Sequence, residues 1–185
     1  MRSTQLTLGA LAAAATSALT GLGIATPATA APAPTSFAAQ AETTTTHEVG
    51  NVIECTGTIR GRSVWASVYE NNTYANVIQV VIGDDGDQVG NSREDADGFI
   101  DHRQVLGALK VDGKRAVIEG RAVRVGSREQ VHEEYDDAGQ LVTVDGFHRR
   151  LSTDLTLTWR HRTRPLTCDT AFHYDLQVTK EDITG

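Results

Sequence analysis

The sequence has little cysteine, few aromatic residues and fewer basic than acidic residues. Its 185 residues include 2 cysteines, and 17 Lys and Arg stand against 24 Asp and Glu, which gives a formal net charge of −7. A chain with this charge is repelled by the phosphates of nucleic acid and by anionic lipid surfaces. We therefore expect no nucleic-acid partner.

The short motifs of common hydrolases and metal enzymes are also missing. The sequence contains no HExxH, no GxSxG and no pair of cysteines at zinc-ligand spacing. These patterns supply the nucleophile or the metal in many enzymes, and without them no catalytic residue stands out. The sequence therefore favours a non-enzymatic protein with no resident cofactor.

Long apolar stretches are absent except near the N-terminus. Arg2 is the one charge in residues 1–30, residues 6–24 are apolar or small, and Ala28-Thr29-Ala30 follows with the small residues that a signal peptidase reads. This pattern predicts a signal peptide over residues 1–30 and a secreted product. A transmembrane anchor is the alternative, although the segment is weakly hydrophobic for one. No later run is long enough to span a bilayer, so we expect no membrane span.

The next segment, residues 31–46, is rich in Ala, Pro and Thr and contains one aromatic residue, Phe37. Such a composition buries too little apolar surface to order itself, which predicts a flexible linker. Residues 47–185 then form the folded part, and their number is that of one domain.

Helical periodicity is nearly absent from residues 47–185, where apolar and polar residues alternate at period 2. Asp112 with Gly113, and Ala138 with Gly139, are typical of two-residue turns between paired strands. The sequence predicts an all-β fold with about eight or nine antiparallel strands. A meander of this kind forms a single barrel or a sandwich, and the barrel is favoured.

The two cysteines, Cys55 and Cys168, lie in the first and near the last predicted strand. In an exported protein they are expected to be oxidised, and the simplest arrangement is one disulfide between them. Such a bond requires the first and last strands to be neighbours, as they are in an up-and-down barrel. Two free thiols or an intermolecular bond remain alternatives.

The N-terminal features, the wide cysteine spacing and the block LSTDLTLTWRHRTRPLTCDTAFHYDLQV, residues 151–178, together resemble small secreted β-proteins of high-GC Gram-positive, actinobacterial bacteria. This resemblance implies secretion and a single domain. It carries over no functional residue.

One candidate site is the acidic loop of residues 83–101. Its segment DADGFID resembles part of an EF-hand loop, with Asp95, Asp97 and Asp101 as candidate calcium ligands. The resemblance is partial, because Arg93 stands where the first ligand belongs and Gln104 replaces the bidentate glutamate. The alternative is a solvated loop, since Asp and Gly are common turn residues.

A second candidate is a ligand site on the strand that contains Trp159. Arg160, Arg162 and Arg164 recur at period 2, and such an array would bind a carboxylate, sulfate or phosphate. His161 is in phase with Trp159, which predicts that it points inward near a barrel mouth. The alternative is an exposed strand face whose arginines pair with nearby carboxylates.

The aromatic residues suggest a cavity within the barrel. Trp65, Tyr69, Trp159 and Tyr174 are the candidates to line it, because a small barrel either holds one small ligand or is filled by side chains. The sequence thus predicts a secreted, non-enzymatic β-domain that binds a small ligand or an extracellular partner.

Two alternatives to this function stay open. One is an extracellular enzyme that uses His148, His161 or His173 with an aspartate at the barrel mouth. The other is a calcium-stabilised structural protein of the cell envelope.

Overall fold

A computed structural model of the protein describes residues 43–182, which form nine β-strands and no helix. The strands are β1 (Thr43–Ile59), β2 (Arg62–Asn71), β3 (Asn76–Ile82), β4 (Val89–Asp95), β5 (Ile100–Asp101), β6 (Gln104–Val111), β7 (Lys114–Asp137), β8 (Gln140–Trp159) and β9 (Arg162–Asp182). The all-β prediction and its strand number are confirmed. The predicted signal peptide, residues 1–30, lies outside the described residues.

The nine strands form one antiparallel sheet in the order β4-β3-β2-β1-β9-β8-β7-β6-β5. The first and last strands pair, as the predicted disulfide required, and Cys55 is bonded to Cys168. The structure is therefore a single curled sheet and not a two-sheet sandwich. Residues 43–182, the part of the chain that the structure describes, contain no helix long and apolar enough to cross a membrane.

The curl brings β4 close to β6, although the two strands share no backbone ladder. The Asn91 side-chain amide donates to the carbonyl oxygen of Lys110 at 2.9 Å, and the Arg93 guanidinium donates to that of Ala108 at 2.7 Å. The barrel is therefore not closed by backbone hydrogen bonds between β4 and β6, and side chains of β4 bridge the gap instead.

The interior of the barrel is filled by alternate residues of its strands, as the period-2 pattern predicted. The largest side chains that are almost fully buried are Ile53, Ile59, Val68, Ile78, Val80, Ile82, Val105, Val111, Ile118, Leu155, Leu157 and Trp159. Burial of this apolar surface is the main force that holds the sheet in its curled form.

Strand β1 begins earlier than expected. Residues 43–46, which we assigned to the linker, pair with β9 from Thr43 opposite Glu181 to Thr46 opposite Val178. Threonine is β-branched and favours strands, but four threonines in a row show no alternation by which a strand is recognised. The rest of the predicted linker, residues 31–42, lies outside the described residues.

Four long strands, β1, β7, β8 and β9, continue beyond the barrel. Register shifts interrupt their pairing at Glu54/Thr56, Arg124/Arg128 and Arg150/Leu155, which lie beside one another across the sheet. Past these shifts the strands form a four-stranded extension, which we call the ribbon. It consists of residues 43–54, 128–137, 140–150 and 170–182.

Two-residue turns with positive φ at both positions connect several strands. The two predicted turns are confirmed, at Asp112 and Gly113 and at Ala138 and Gly139. A further turn at Arg160 and His161 has φ of 48° and 61°, so the prediction that Arg160 continues a strand was wrong. Residues other than glycine pay to adopt this conformation. Arg160 offsets the cost because it stacks on Trp159 and pairs with Asp112.

The disulfide is expected to stabilise the fold because Cys55 and Cys168 are 113 residues apart. Closing so long a loop removes much of the unfolded chain's entropy, so its loss should lower the free energy of unfolding by about 2–5 kcal/mol. Urea denaturation of the oxidised and the reduced protein measures the difference. A C55A/C168A variant is the control, since a reducing agent should not move its midpoint. Equal midpoints for the oxidised and reduced wild type would contradict the expectation.

Candidate ligand cleft

A cleft opens where the barrel meets the ribbon. One part has a volume of about 720 Å³ and is lined by Glu70, Asp97 and His173, among others. An adjoining part of about 480 Å³ shares Asn51, Ile100 and Arg124 with the first. We call the two parts together the mouth cleft.

Glu70 organises one wall of the mouth cleft. It is the penultimate residue of β2, and one of its carboxylate oxygens accepts the backbone N–H groups of Phe99 and Ile100 at 2.6 and 2.7 Å. The other oxygen accepts the side-chain amide of Asn51 at 2.8 Å. Three donors to one carboxylate fasten the loop of residues 96–100 across the mouth.

His173 lines the first part of the cleft and is buried on the face of β9 that continues the barrel interior. Its Nδ1 atom is 3.2 Å from the guanidinium of Arg124 and 3.2 Å from the side-chain oxygen of Asn51. One tautomer of the neutral ring accepts from Arg124, and the other donates to Asn51. Burial and then the charge of Arg124 lower the pKa of His173, which keeps the ring neutral at neutral pH.

The second part of the cleft is basic. Arg103, Arg124 and Arg149 line it, and none of the three forms an ion pair within residues 43–182. The backbone positions Arg103, which has a φ of 74° and whose carbonyl accepts the N–H of Ala122 at 3.0 Å. Three unpaired arginines around one cavity make a site where an anion would find several donors.

The ligand site predicted from the sequence lies elsewhere. Arg160 and His161 form the exposed turn between β8 and β9, and Arg162 begins β9 at the same end of the barrel. Trp159 is a core residue, 1% exposed, whose indole N–H donates to the carbonyl of Val111 at 3.2 Å. The expectation that His161 points inward was wrong, because the chain turns there. Ligand binding by Arg160 and Arg162 stays a prediction.

The other predicted groupings are also separated. His148 stacks on Phe172 in the ribbon, with ring centroids 4.4 Å apart, while His161 lies in the turn and His173 in the mouth cleft. The convergence of histidines on which the enzyme alternative depended is therefore not found. Among the aromatic residues, Tyr69 and Tyr174 lie together, but Trp65 is exposed and Trp159 fills the core.

The predicted calcium ligands do not converge. Asp95 accepts the backbone N–H of Asp97 at 3.1 Å and pairs with Arg93, and these two contacts, in that order, lower its pKa. Asp101 lies in β5, where it pairs with the exposed His102. Over residues 43–182 no group of three or more His, Cys, Asp or Glu side chains could hold a metal. Calcium binding stays a prediction without support from this geometry.

Sequence patterns do not reveal Arg103 and Arg124 as residues of the cleft. Arg103 follows a two-residue strand that no pattern reveals, and Arg124 precedes a register shift that alternation alone does not locate. The run of arginines in GRAVRVG, residues 120–126, was the available signal. It does not tell which of these side chains would face the cleft.

Replacing Glu70 should release the loop across the mouth. In a Glu70→Ala variant the backbone N–H groups of Phe99 and Ile100 lose their acceptor, so their amide hydrogen exchange should be faster. Glu94→Ala is the matched control, because Glu94 is an exposed carboxylate at the same cleft. Exchange at Phe99 and Ile100 that is equal in the two variants would rule out the proposed role of Glu70.

His173 should make the fold less stable in acid. Because its pKa is lowered in the folded state, the unfolded chain binds a proton first as the pH falls below about 6.5, and stability is lost. An H173N variant should therefore lose less stability than the wild type between about pH 7 and pH 5. Urea denaturation at each pH measures this.

The control residue for that experiment, His132, should have the opposite effect on stability in acid. Hydrogen bonding to Asp145 raises the pKa of His132, so this residue stabilises the fold below about pH 6.5. An H132N variant should accordingly lose more stability than the wild type in acid. If H173N and H132N behaved alike, the assignment of His173 as a buried neutral ring would be wrong.

No protein-family model matches the chain, and no curated protein matches it. A solved structure from Nitrosomonas europaea, of a protein provisionally assigned as AttH, is similar with a TM-score of 0.25 and 10% identity. The match covers 75% of this chain and 52% of the other, so the chain spans about half of that protein's length. A likeness of this size carries no conclusion about fold or function.

Proposed function

We propose that this protein is a secreted, non-enzymatic β-domain that binds a small anionic ligand in the mouth cleft. The observation that carries the proposal is the meeting of Arg103, Arg124 and Arg149 around one cavity with no carboxylate partner among residues 43–182. Elsewhere in the described chain, Arg62, Arg93 and Arg160 each pair with an aspartate.

The grouping of the arginines supports an anionic ligand. Most arginines of residues 43–182 form no ion pair, and what sets Arg103, Arg124 and Arg149 apart is that they line one cavity, where a single anion would find several donors. A guanidinium presents its N–H donors in a plane that matches a carboxylate or a phosphate. An anion in this cleft would also lie near Arg124 and the ring of His173, 3.2 Å from each other.

The two parts of the mouth cleft differ in charge. Glu94 and Asp97 line the first part of the cleft and not the second part, which Arg103, Arg124 and Arg149 line. The acidic end would repel a second negative group placed there. The ligand we propose is therefore a compact anion, held at the arginine end.

Export is supported by the disulfide. A bond between Cys55 and Cys168 persists in an oxidising compartment, which is compatible with a location outside the cytoplasm. The N-terminal sequence pattern agrees with this location. Secretion is therefore part of the proposed function.

Arginine replacement tests the proposal. Citrate and inorganic phosphate, titrated by calorimetry at low ionic strength, are the probes. An R124Q/R149Q variant should bind the better probe at least about tenfold more weakly than the wild type, because each lost charge-assisted hydrogen bond is worth more than about 1 kcal/mol. An R162Q/R164Q variant is the matched control, since it removes the same charge from the far end of the barrel.

The titrations of the two arginine variants also show where the anion binds. Unchanged binding in R124Q/R149Q together with weakened binding in R162Q/R164Q would move the site to the strand predicted from the sequence. Wild-type protein that binds neither citrate nor phosphate would overturn the anionic ligand. Thermal unfolding of both variants shows whether the fold is intact.

A further inference from the structure

We propose that His173 makes anion binding in the mouth cleft depend on pH, by releasing Arg124 to the anion when the imidazole ring takes up a proton. The inference rests on the proposed function, because it concerns the same site. The Nδ1 atom of His173 is 3.2 Å from the guanidinium of Arg124 and 3.2 Å from the side-chain oxygen of Asn51. The first partner is a donor and the second an acceptor, so one nitrogen cannot satisfy both at once. His173 therefore has two alternative hydrogen-bonded states.

The strand register places His173 where a row of side chains changes from positive to negative charge. The row consists of Arg128, Arg149, His173, Asn51 and Glu70, which are successive pairing partners on β7, β8, β9, β1 and β2. Directly paired residues of antiparallel strands have their side chains on the same face of the sheet. A proton on His173 extends the positive part of this row by one residue, up to the amide of Asn51.

In the first state the ring is neutral and Nδ1 accepts an N–H group of Arg124. His173 is 7% exposed, and burial, followed by the charge of Arg124, lowers its pKa. This state is therefore the favoured one in the empty cleft at neutral pH. It weakens ligand binding, because the N–H group that points at the ring is not available to an anion.

In the second state both nitrogens of the ring carry a proton. Nδ1 then donates to the side-chain oxygen of Asn51, whose amide nitrogen donates to Glu70 at 2.8 Å. The two hydrogen bonds have the same direction and connect the positive ring to a carboxylate. Arg124 loses its acceptor, and its guanidinium now lies beside a second cation. An anion between them would offset this repulsion and would accept the released N–H group.

Basic side chains oppose the second state while the cleft is empty. Arg124 and Arg128 of β7 both lower the pKa of His173 through their charge, and Arg149 of β8 is paired directly with it. An anion that neutralises these arginines removes the main charge that keeps the proton away from the ring. Binding of the anion and binding of the proton therefore favour each other.

The acidic groups near His173 are engaged elsewhere. Asp175 favours protonation of the ring, but its carboxylate is hydrogen-bonded to His47 at 2.7 Å. Within residues 43–182 no carboxylate forms an ion pair with His173. The further titratable or charged residues that line the cleft are Glu70, Glu94, Asp95, Asp97, His102 and Arg103. The counter-charge that a protonated His173 and Arg124 require is thus left to the ligand.

The coupling is reciprocal, which fixes its direction. If a bound anion favours the protonated ring, protonation strengthens anion binding by the same factor. Because the lowered pKa keeps the ring neutral at neutral pH, the anion affinity should rise as the pH falls through the range in which histidine titrates. Between about pH 7.5 and about pH 5 we expect a rise of at least about fivefold. The domain would thus take up its anion in acid and release it at neutral pH.

Sulfate is the probe for this effect, because its own charge is constant over this range, whereas citrate and phosphate gain protons. Calorimetric titration of the wild type at the two pH values and equal ionic strength should show the rise in affinity. Asparagine at position 173 cannot take up a proton, so in H173N the affinity should change by less than about twofold. H132N is the matched control and should keep the wild-type pH dependence, because His132 is an exposed histidine of the ribbon that does not line the cleft.

The results separate this inference from the proposed function. Sulfate binding of the same strength at both pH values would overturn the role of His173 and leave the anion site standing. A pH dependence that persists in H173N would also overturn that role, because another group would then be responsible. Absence of sulfate binding at both pH values would overturn the anion site and the inference together.

A direct measurement on the wild type covers the case in which H173N does not fold. The NMR signal of the His173 ring, followed against pH, gives the pKa of this residue in the folded protein. Saturating sulfate should raise that pKa, since the anion and the proton favour each other. A pKa of His173 that is the same with and without bound sulfate would contradict the proposal.

Discussion

The pairing of the first strand with the last is the constraint on which the rest of the structure depends. β1 lies between β2 and β9 in the interior of the sheet, and the disulfide between Cys55 and Cys168 locks this position. Because the first and last strands meet in the middle of the sheet, the free edges fall on β4 and β5, in the middle of the sequence. The loop between those two strands then crosses the mouth, where Glu70 holds it. The cleft is thus a consequence of where the sheet was left open.

The mouth cleft depends on a single pairing register. Asn51 and His173, which line it, stand opposite one another on β1 and β9. Glu70 holds two neighbouring segments, because its carboxylate accepts the backbone N–H groups of Phe99 and Ile100 and its backbone carbonyl accepts the Tyr174 hydroxyl. A slip of one residue between β1 and β9 would place Asn51 and His173 on different faces of the sheet, so the cleft depends on this register. The disulfide is among the contacts that hold that register.

Local patterns in the sequence predicted the fold class, because alternation and two-residue turns are local signals and two cysteines allow a single internal pair. The turn at Arg160 and His161 was missed because neither residue is a glycine and its stabilising partner, Asp112, is remote in sequence. The site was missed for a different reason. Arg150 pairs with Phe172 and Leu155 pairs with Leu166, so a segment of β8 that advances by five residues lies opposite a segment of β9 that advances by six. The inward-facing residues of β9 therefore change from even to odd numbers. Alternation cannot reveal such a shift, and it cannot show that Arg93 engages Asp95.

The pairing of β1 with β9 also bears on how the chain reaches its folded state. β1 is made first and β9 last, so one side of β1 has no partner until nearly the whole domain is available. Contacts between such distant parts of a sequence form slowly, since a long loop must close before they stabilise anything. The sheet therefore cannot be completed before the last strand is available. A delay of this kind would suit the export that we propose, because a chain that passes through a narrow membrane channel has to be unfolded while it does so.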